Sequence, residues 1–307
     1  MQVDWMNVLV RFALYLDLML VFGLPLFACY ALQGAERISP LARQYIKWTA
    51  AASAAGIMLS GIEMLVMAKA MTGASAYSDL SVHVFEMMVT GTGFGTAWSG
   101  RQIGLLASLL ITLALARRPS AQIRLLALTG AVALSSLAWA GHGAMDDGDR
   151  RVIHLLADIA HLLAAGAWVG ALAAFVLLGK ATQRDATLLS LLARTAHGFA
   201  LPGSVIVATL VVTGTANYWL IAGLPSASAM RTSYGMLLLI KLALFGTMLV
   251  MAALNRYRLT PRLAAEIRIG NAVGASRALR RSLQWEMATS IAVLVAVAIL
   301  GVLSPDA

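Results

Sequence analysis

Histidine, methionine and carboxylate side chains recur at helical spacing along this 307-residue chain. The densest run is His154-Leu155-Leu156-Ala157-Asp158-Ile159-Ala160-His161. Steps of four and three residues keep His154, Asp158 and His161 within about 40° of one another on one helix face. Asp158 is placed to accept a hydrogen bond from either imidazole, which fixes the tautomer and raises ligand basicity. A second stripe is Met64, Met67 and Met71, with Glu63 one turn from Met67. Further along come His83, Glu86, Met87 and Met88, and then Trp139-Ala140-Gly141-His142-Gly143-Ala144-Met145. Thioether sulfur is a soft, neutral ligand suited to Cu(I), and imidazole widens the choice to other copper states. Met is also a common filler of membrane helices, and three at helical spacing are more often core than ligands.

The elements that must position these groups are membrane helices. Hydrophobic residues make up 60% of the chain and charged residues only 12%, with a mean hydropathy of +0.80. Soluble domains carry about a quarter charged residues, so that class is excluded. Windows of about 20 apolar residues predict eight spans, at 7 to 32, 45 to 71, 100 to 116, 122 to 140, 152 to 179, 195 to 222, 233 to 256 and 282 to 303. The fold class is therefore an all-α, polytopic transmembrane bundle forming a single membrane domain over 1 to 307. The longest connection, 72 to 99, carries the run Thr90-Gly91-Thr92-Gly93-Phe94-Gly95, expected to be a surface loop or a re-entrant segment lining a site.

Cytoplasmic loops retain Lys and Arg. One alternate set of loops holds Arg37, Arg43, Lys47, Arg117, Arg118, Arg124, Lys180, Arg184 and Arg194, and then the cluster from Arg256 to Arg281. The opposite set holds Arg150, Arg151 and Arg231, joined by Lys69 and Arg101 at helix ends. Both termini are thus expected outside, and most of the +9 net charge becomes a skirt facing lipid headgroups of the bilayer, with no nucleic acid implied. On this topology every histidine except His197 falls in the outer half, together with Met1, Met6, Met64, Met67, Met71, Met87, Met88, Met145, Met230 and Met236. No cleaved leader is expected, because the first apolar run lacks a cationic lead. Cys29 is the only cysteine, so no internal disulfide forms, and it is read as a packing thiol.

Ionisable groups inside a membrane are costly, roughly 2.5 kcal/mol or more for an uncompensated Asp at mid-membrane, and mark pathways by default. Beyond Asp158 and the helix-two Glu63, they include Asp17, Lys241 and Glu286. An ion pair of Asp17 with Lys241 and a proton route along the carboxylates are both conceivable. No nucleotide loop, catalytic triad or paired zinc motif is present, so an enzyme is disfavoured and no catalytic residue is assigned.

Together these residues resemble the bacterial copper resistance protein D family (CopD, with its relative PcoD). The likeness is carried by Gly141-His142-Gly143-Ala144, by His154 through His161 leading to Trp168-Val169-Gly170, and by Thr92-Gly93-Phe94-Gly95-Thr96-Ala97-Trp98 before Arg101. The resemblance implies a multi-pass inner-membrane copper protein of copper homeostasis and resistance, working with a periplasmic copper-binding partner of the CopC type supplied in trans. Inward movement of copper is likewise implied by the resemblance and not by the residues.

The expected function is passage of copper, as Cu(I), from outer Met and His ligands along the His-Asp-His stripe. The candidate ligands are His83, His142, His154, His161, Met64, Met67, Met71, Met87, Met88 and Met145, supported by Asp158, Glu63, Glu86 and Asp17. A first alternative is a b-type haem protein for electron transfer. His154 and His161 share one helix and are excluded as the two axial ligands of one haem, and His161 with His197 is mismatched in depth. His154 with His83 or His142 stays open. A second alternative is an outer-face copper receptor that moves nothing, to which intramembrane His161, Asp158 and Asp17 would be superfluous.

Overall fold

The structure is a computed structural model, and it describes residues 4 to 140, 147 to 183, 185 to 223 and 232 to 303. Among these the regular elements are all helical. They are α1 (Trp5–Ala31), α2 (Pro40–Thr72), α3 (Val82–Gly91), α4 (Gly93–Ala114), α5 (Pro119–Ser135), α6 (Gly148–Ala181), α7 (Leu188–Gly198), α8 (Ala200–Ala222), α9 (Ser233–Leu254), α10 (Thr260–Arg268) and α11 (Val273–Leu300). A 3₁₀ turn, Ser136–Ala140, extends α5, and a π-helical turn, Asn255–Leu259, joins α9 to α10.

The helix starts follow local chemistry. Asp4 caps α1 by accepting from the Asn7 amide at 3.2 Å. Ser39 caps α2 by accepting from Ala42 at 3.2 Å, with Pro40 in the first turn. Each side chain satisfies an amide that has no intrahelical partner. Gly73, at φ 67°, closes α2 in the left-handed region that favours glycine.

Seven helices are long and apolar enough to cross a membrane, namely α1, α2, α5 with its 3₁₀ extension, α6, α8, α9 and α11. The eighth predicted span, 100 to 116, is a helix here, but α4 begins at Gly93 and is not among the seven. Its Gly-rich start, the buried Arg101 and the half-buried Gln102 make it less apolar than its neighbours. It packs along α5, where Ser108 and Thr129 hydroxyls meet at 2.7 Å and the Gln122 amide donates to the Thr112 carbonyl at 2.8 Å.

Three further expectations are corrected. The segment 72 to 99 is mostly helical: it contains α3 and the start of α4, with Thr92 as the single extended residue between them. The predicted span at 195 to 222 is two helices, α7 and α8, meeting at Phe199. The basic connection from 256 to 281 is also helical, through the π turn, α10 and the start of α11.

Helix α1 lies at the centre, gripped by α2, α5 and α6. The contact with α6 is backbone on backbone, because a Cβ on Gly170 would stand 2.2 Å from the Gly23 Cα and one on Gly23 would stand 2.3 Å from the Gly166 carbonyl. Gly166 and Gly170 form the small-xxx-small pattern that lets membrane helices approach closely where no hydrophobic effect drives them together. Helix α6 is the most buried of the spans and α9 the least.

Side-chain bonds sort the helix ends into two groups. The Arg11 guanidinium donates to the Gly301 and Ala140 carbonyls, placing the start of α1 beside the ends of α5 and α11. Arg150 donates to the Leu220 carbonyl at 2.5 Å, adding the start of α6 and the end of α8. At the opposite end Arg37 binds the Cys29 carbonyl and Ser120, Arg194 binds Glu36 at 2.5 Å, and Arg256 binds Ser204 at 2.8 Å.

Candidate metal centre

The His-Asp-His stripe occupies one face of α6 in the half nearest Arg11, and it faces α8. His161 Nδ1 lies 2.9 Å from the Thr213 hydroxyl, and its ring packs on Gly214. Asn217 Nδ2 donates to Asp158 Oδ1 at 2.6 Å. His154 Nε2 stands 4.0 Å from Asp158 Oδ2, and His154 is buried at 1% exposure. Thr213, Gly214 and Asn217 fall on one face of α8 by the same three-and-four spacing that aligns the α6 groups. The Asp17 carboxylate packs over Gly56 near Leu105, where Oδ2 is buried without a hydrogen bond. Among the described residues the conceivable Asp17–Lys241 ion pair does not form.

The methionines divide. Met64 and Met88 are buried together, with Met67, Phe85, Phe94 and Trp98 packed around them in a small apolar cluster separate from the main core. Met71 and Met87 are outside it, at 56% and 48% exposure. His83 and Glu86 share the open face of α3 with Met87, their side chains 84% and 71% exposed and 3.9 Å apart. Two precise contacts build the cluster. Thr92 accepts from the Gly95 amide at 2.9 Å and donates to the Met88 carbonyl at 2.7 Å, and a Cβ on Gly95 would stand 2.1 Å from that same carbonyl. Only glycine lets α4 start so close against the end of α3.

Directly beside this cluster, Glu63 is bound by Arg101 in a buried ion pair. That gives the Glu63 carboxylate a partner other than a metal. Arg101 Nε and Nη1 are buried without hydrogen-bond partners, and Trp98 donates to the Ser60 carbonyl at 2.9 Å on the same α2–α4 seam. Sequence spacing pointed to Glu63 but missed Arg101, which is 38 residues away. Asn217 and Thr213 were missed as partners of the stripe for the same reason.

Among the described residues no three His, Cys, Asp or Glu side chains converge in a ready-made metal cage. His142 and Met145, with the motif Gly141 to Ala144, lie outside the described residues, as do Met1, Met230, Arg184 and Arg231. His197 ends α7, away from the α6 stripe.

Apolar spanning helices around a buried polar seam define a polytopic helical membrane protein. Within that class, residues 1 to 152 match the family model for the N-terminal domain of copper resistance protein D-like proteins, and residues 193 to 300 match that for copper resistance protein D. The chain is 43% identical over 305 residues to copper resistance protein D of Pseudomonas syringae pv. tomato, covering 99% of this chain and 98% of that one. It is 28% identical over 256 residues to the inner membrane protein YebZ of Escherichia coli K12, covering 82% and 84%. The chain belongs to the copper resistance protein D family. No solved structure matches it.

Proposed function

We propose that the protein carries copper, as Cu(I), across the bacterial inner membrane from the extracytoplasmic side to the cytosol in copper homeostasis and resistance. The observation that carries this reading is the α6–α8 seam, where His161 meets Thr213, Asp158 meets Asn217 and His154 lies buried beside Asp158 inside spanning helices. Polar groups at that depth are expensive and mark a pathway. The relative from Pseudomonas syringae bears copper resistance in its name. Arg37, Arg194 and Arg256 crowd one end, which by retention of cations is the cytoplasmic end. The Arg11 end and both termini then face outward, with α4 as the eighth crossing.

Copper arrives at the exposed His83, Glu86 and Met87 face of α3, delivered by a soluble periplasmic copper-binding protein of the CopC type. It passes the Met64, Met67 and Met88 cluster to reach the α6 seam, where Asp158, held by Asn217, stands 4.0 Å from His154 and Thr213 orients His161. Ligands spread over several depths suit passage, because conduction needs several weak sites and not one tight trap. The test is copper accumulation in cells producing wild type or His154→Ala/His161→Ala protein at equal membrane levels. The double variant is expected to fall to the level of cells lacking the protein, and unchanged accumulation would overturn the reading. A Soret band in the purified protein would replace it with haem ligation.

A further inference from the structure

The seam at α6 accounts for only the outer half of the bundle. On α9, Lys241, Met248 and Asn255 recur every seven residues, which places them on one face about 10 Å apart along the helix. Met251 lies between the last two at steps of three and four. This face packs against α11. Ser290 of α11 donates to the Met248 sulfur at 3.1 Å, and Asn255 Nδ2 donates to Glu286 Oε2 at 2.7 Å. Glu286 and Ser290 are one turn apart on α11, so the two contacts form successive rungs between the helices. All four side chains are buried: Met248 at 4%, Asn255 at 7%, Glu286 at 3% and Ser290 at 4% exposure.

The chemistry of this cluster is lopsided. It offers a thioether, a carboxylate and an amide oxygen, and Asn255 Oδ1 is buried with no hydrogen-bond partner. Among the described residues no Lys, Arg or His forms a salt bridge with Glu286. A buried carboxylate without a cation is costly, and an acceptor oxygen left unpaired beside it adds to the cost. A cation bound at the Asn255 and Glu286 rung answers both. The chain also departs from α-helical geometry at this point, because the π turn begins at Asn255, and such turns are frequent at functional sites.

We propose that the Met248 rung and, one rung nearer the Arg256 end, the Asn255 and Glu286 rung form an inner pair of adjoining weak positions for a soft monovalent ion, Cu(I), which meets the thioether first and the carboxylate next before release. Thioether selects the soft ion, the carboxylate neutralises its charge, and the amide oxygen completes a weak site suited to release. The inference rests on the copper reading above and gives the pathway its cytoplasmic half.

The test is anaerobic Cu(I) titration of the full-length protein in detergent against a competing chelator. Wild type is compared with Met248→Leu, Glu286→Gln and His154→Ala/His161→Ala, each first shown helical and monodisperse. Met248→Leu is expected to bind one Cu(I) fewer and to lose sulfur scattering in X-ray absorption. Glu286→Gln is expected to weaken that ion about tenfold or more, while the histidine double variant retains it. Wild-type binding in both Met248→Leu and Glu286→Gln overturns the inner site, and so does a wild type that binds no Cu(I). Cellular copper accumulation in the histidine double variant decides the broader reading separately. A Glu286 that is simply protonated and bonded to Asn255 would show the first of these overturning results.

Discussion

At the scale of single residues, the strongest constraint is the buried pair of Glu63 and Arg101. Removing one partner of a buried pair leaves an uncompensated charge and costs about 3–5 kcal/mol, whereas replacing both with apolar side chains is often neutral. Arg101→Met is therefore expected to lower the thermal stability of the purified protein sharply, and Glu63→Leu/Arg101→Met to recover most of it. A double variant no more stable than the single one would show that Arg101 acts independently of Glu63. Gly170 makes a second residue-scale case. A methyl group there has no room against Gly23, so Gly170→Ala should cost about 1–3 kcal/mol by overpacking, read as a lower midpoint of thermal unfolding in detergent. Spacing in the sequence exposed the His154, Asp158 and His161 face because all three sit on one helix. It was silent on the partners of Arg101 and Asn217, which are distant in the chain and meet them only through helix packing.

At the scale of elements, the junction of α3 and α4 decides whether the methionines gather. Thr92 is the hinge, capping α4 while bonding the last turn of α3, and Gly95 allows the close approach. Gly95→Val is expected to push α3 away from α2 and speed amide exchange over residues 82 to 91, leaving α5 and α6 as protected as in wild type. Unchanged exchange in α3 would mean that the Met64 and Met88 contacts alone hold it. The Gly-rich composition here predicts a surface loop or a re-entrant segment, and the backbone is instead helical on both sides of Thr92. Glycine in this case serves close backbone packing at a helix start. Short helices such as α3, α7 and α10 lack the twenty-residue apolar signal that revealed the spans, and they escaped for that reason. The glycines of α6 had the same ambiguity: Trp168-Val169-Gly170 was legible as a motif, while the crossing with α1 that Gly170 serves was not.

At the scale of the whole molecule, two bands of basic side chains would orient the bundle if only one faced the cytosol. With Cys29 replaced by Ser, His83→Cys should react in intact cells with a membrane-impermeant maleimide, and Arg277→Cys should react only after permeabilisation. The reverse pattern would invert the topology and the direction of transport together. Hydropathy was sufficient to show a helical membrane bundle, because the bilayer imposes length and apolarity on each span. It did not reveal which helices are central, since α1 and α9 are similarly apolar yet only α1 is enclosed. The central claim is that Cu(I) moves through the seam between α6 and α8. The most direct measurement is Cu(I) entry into proteoliposomes loaded with a lumenal Cu(I) chelating dye. Vesicles carrying wild-type protein should fill and those carrying His154→Ala/His161→Ala should match protein-free vesicles, whereas wild-type vesicles that fill no faster than protein-free ones would contradict it.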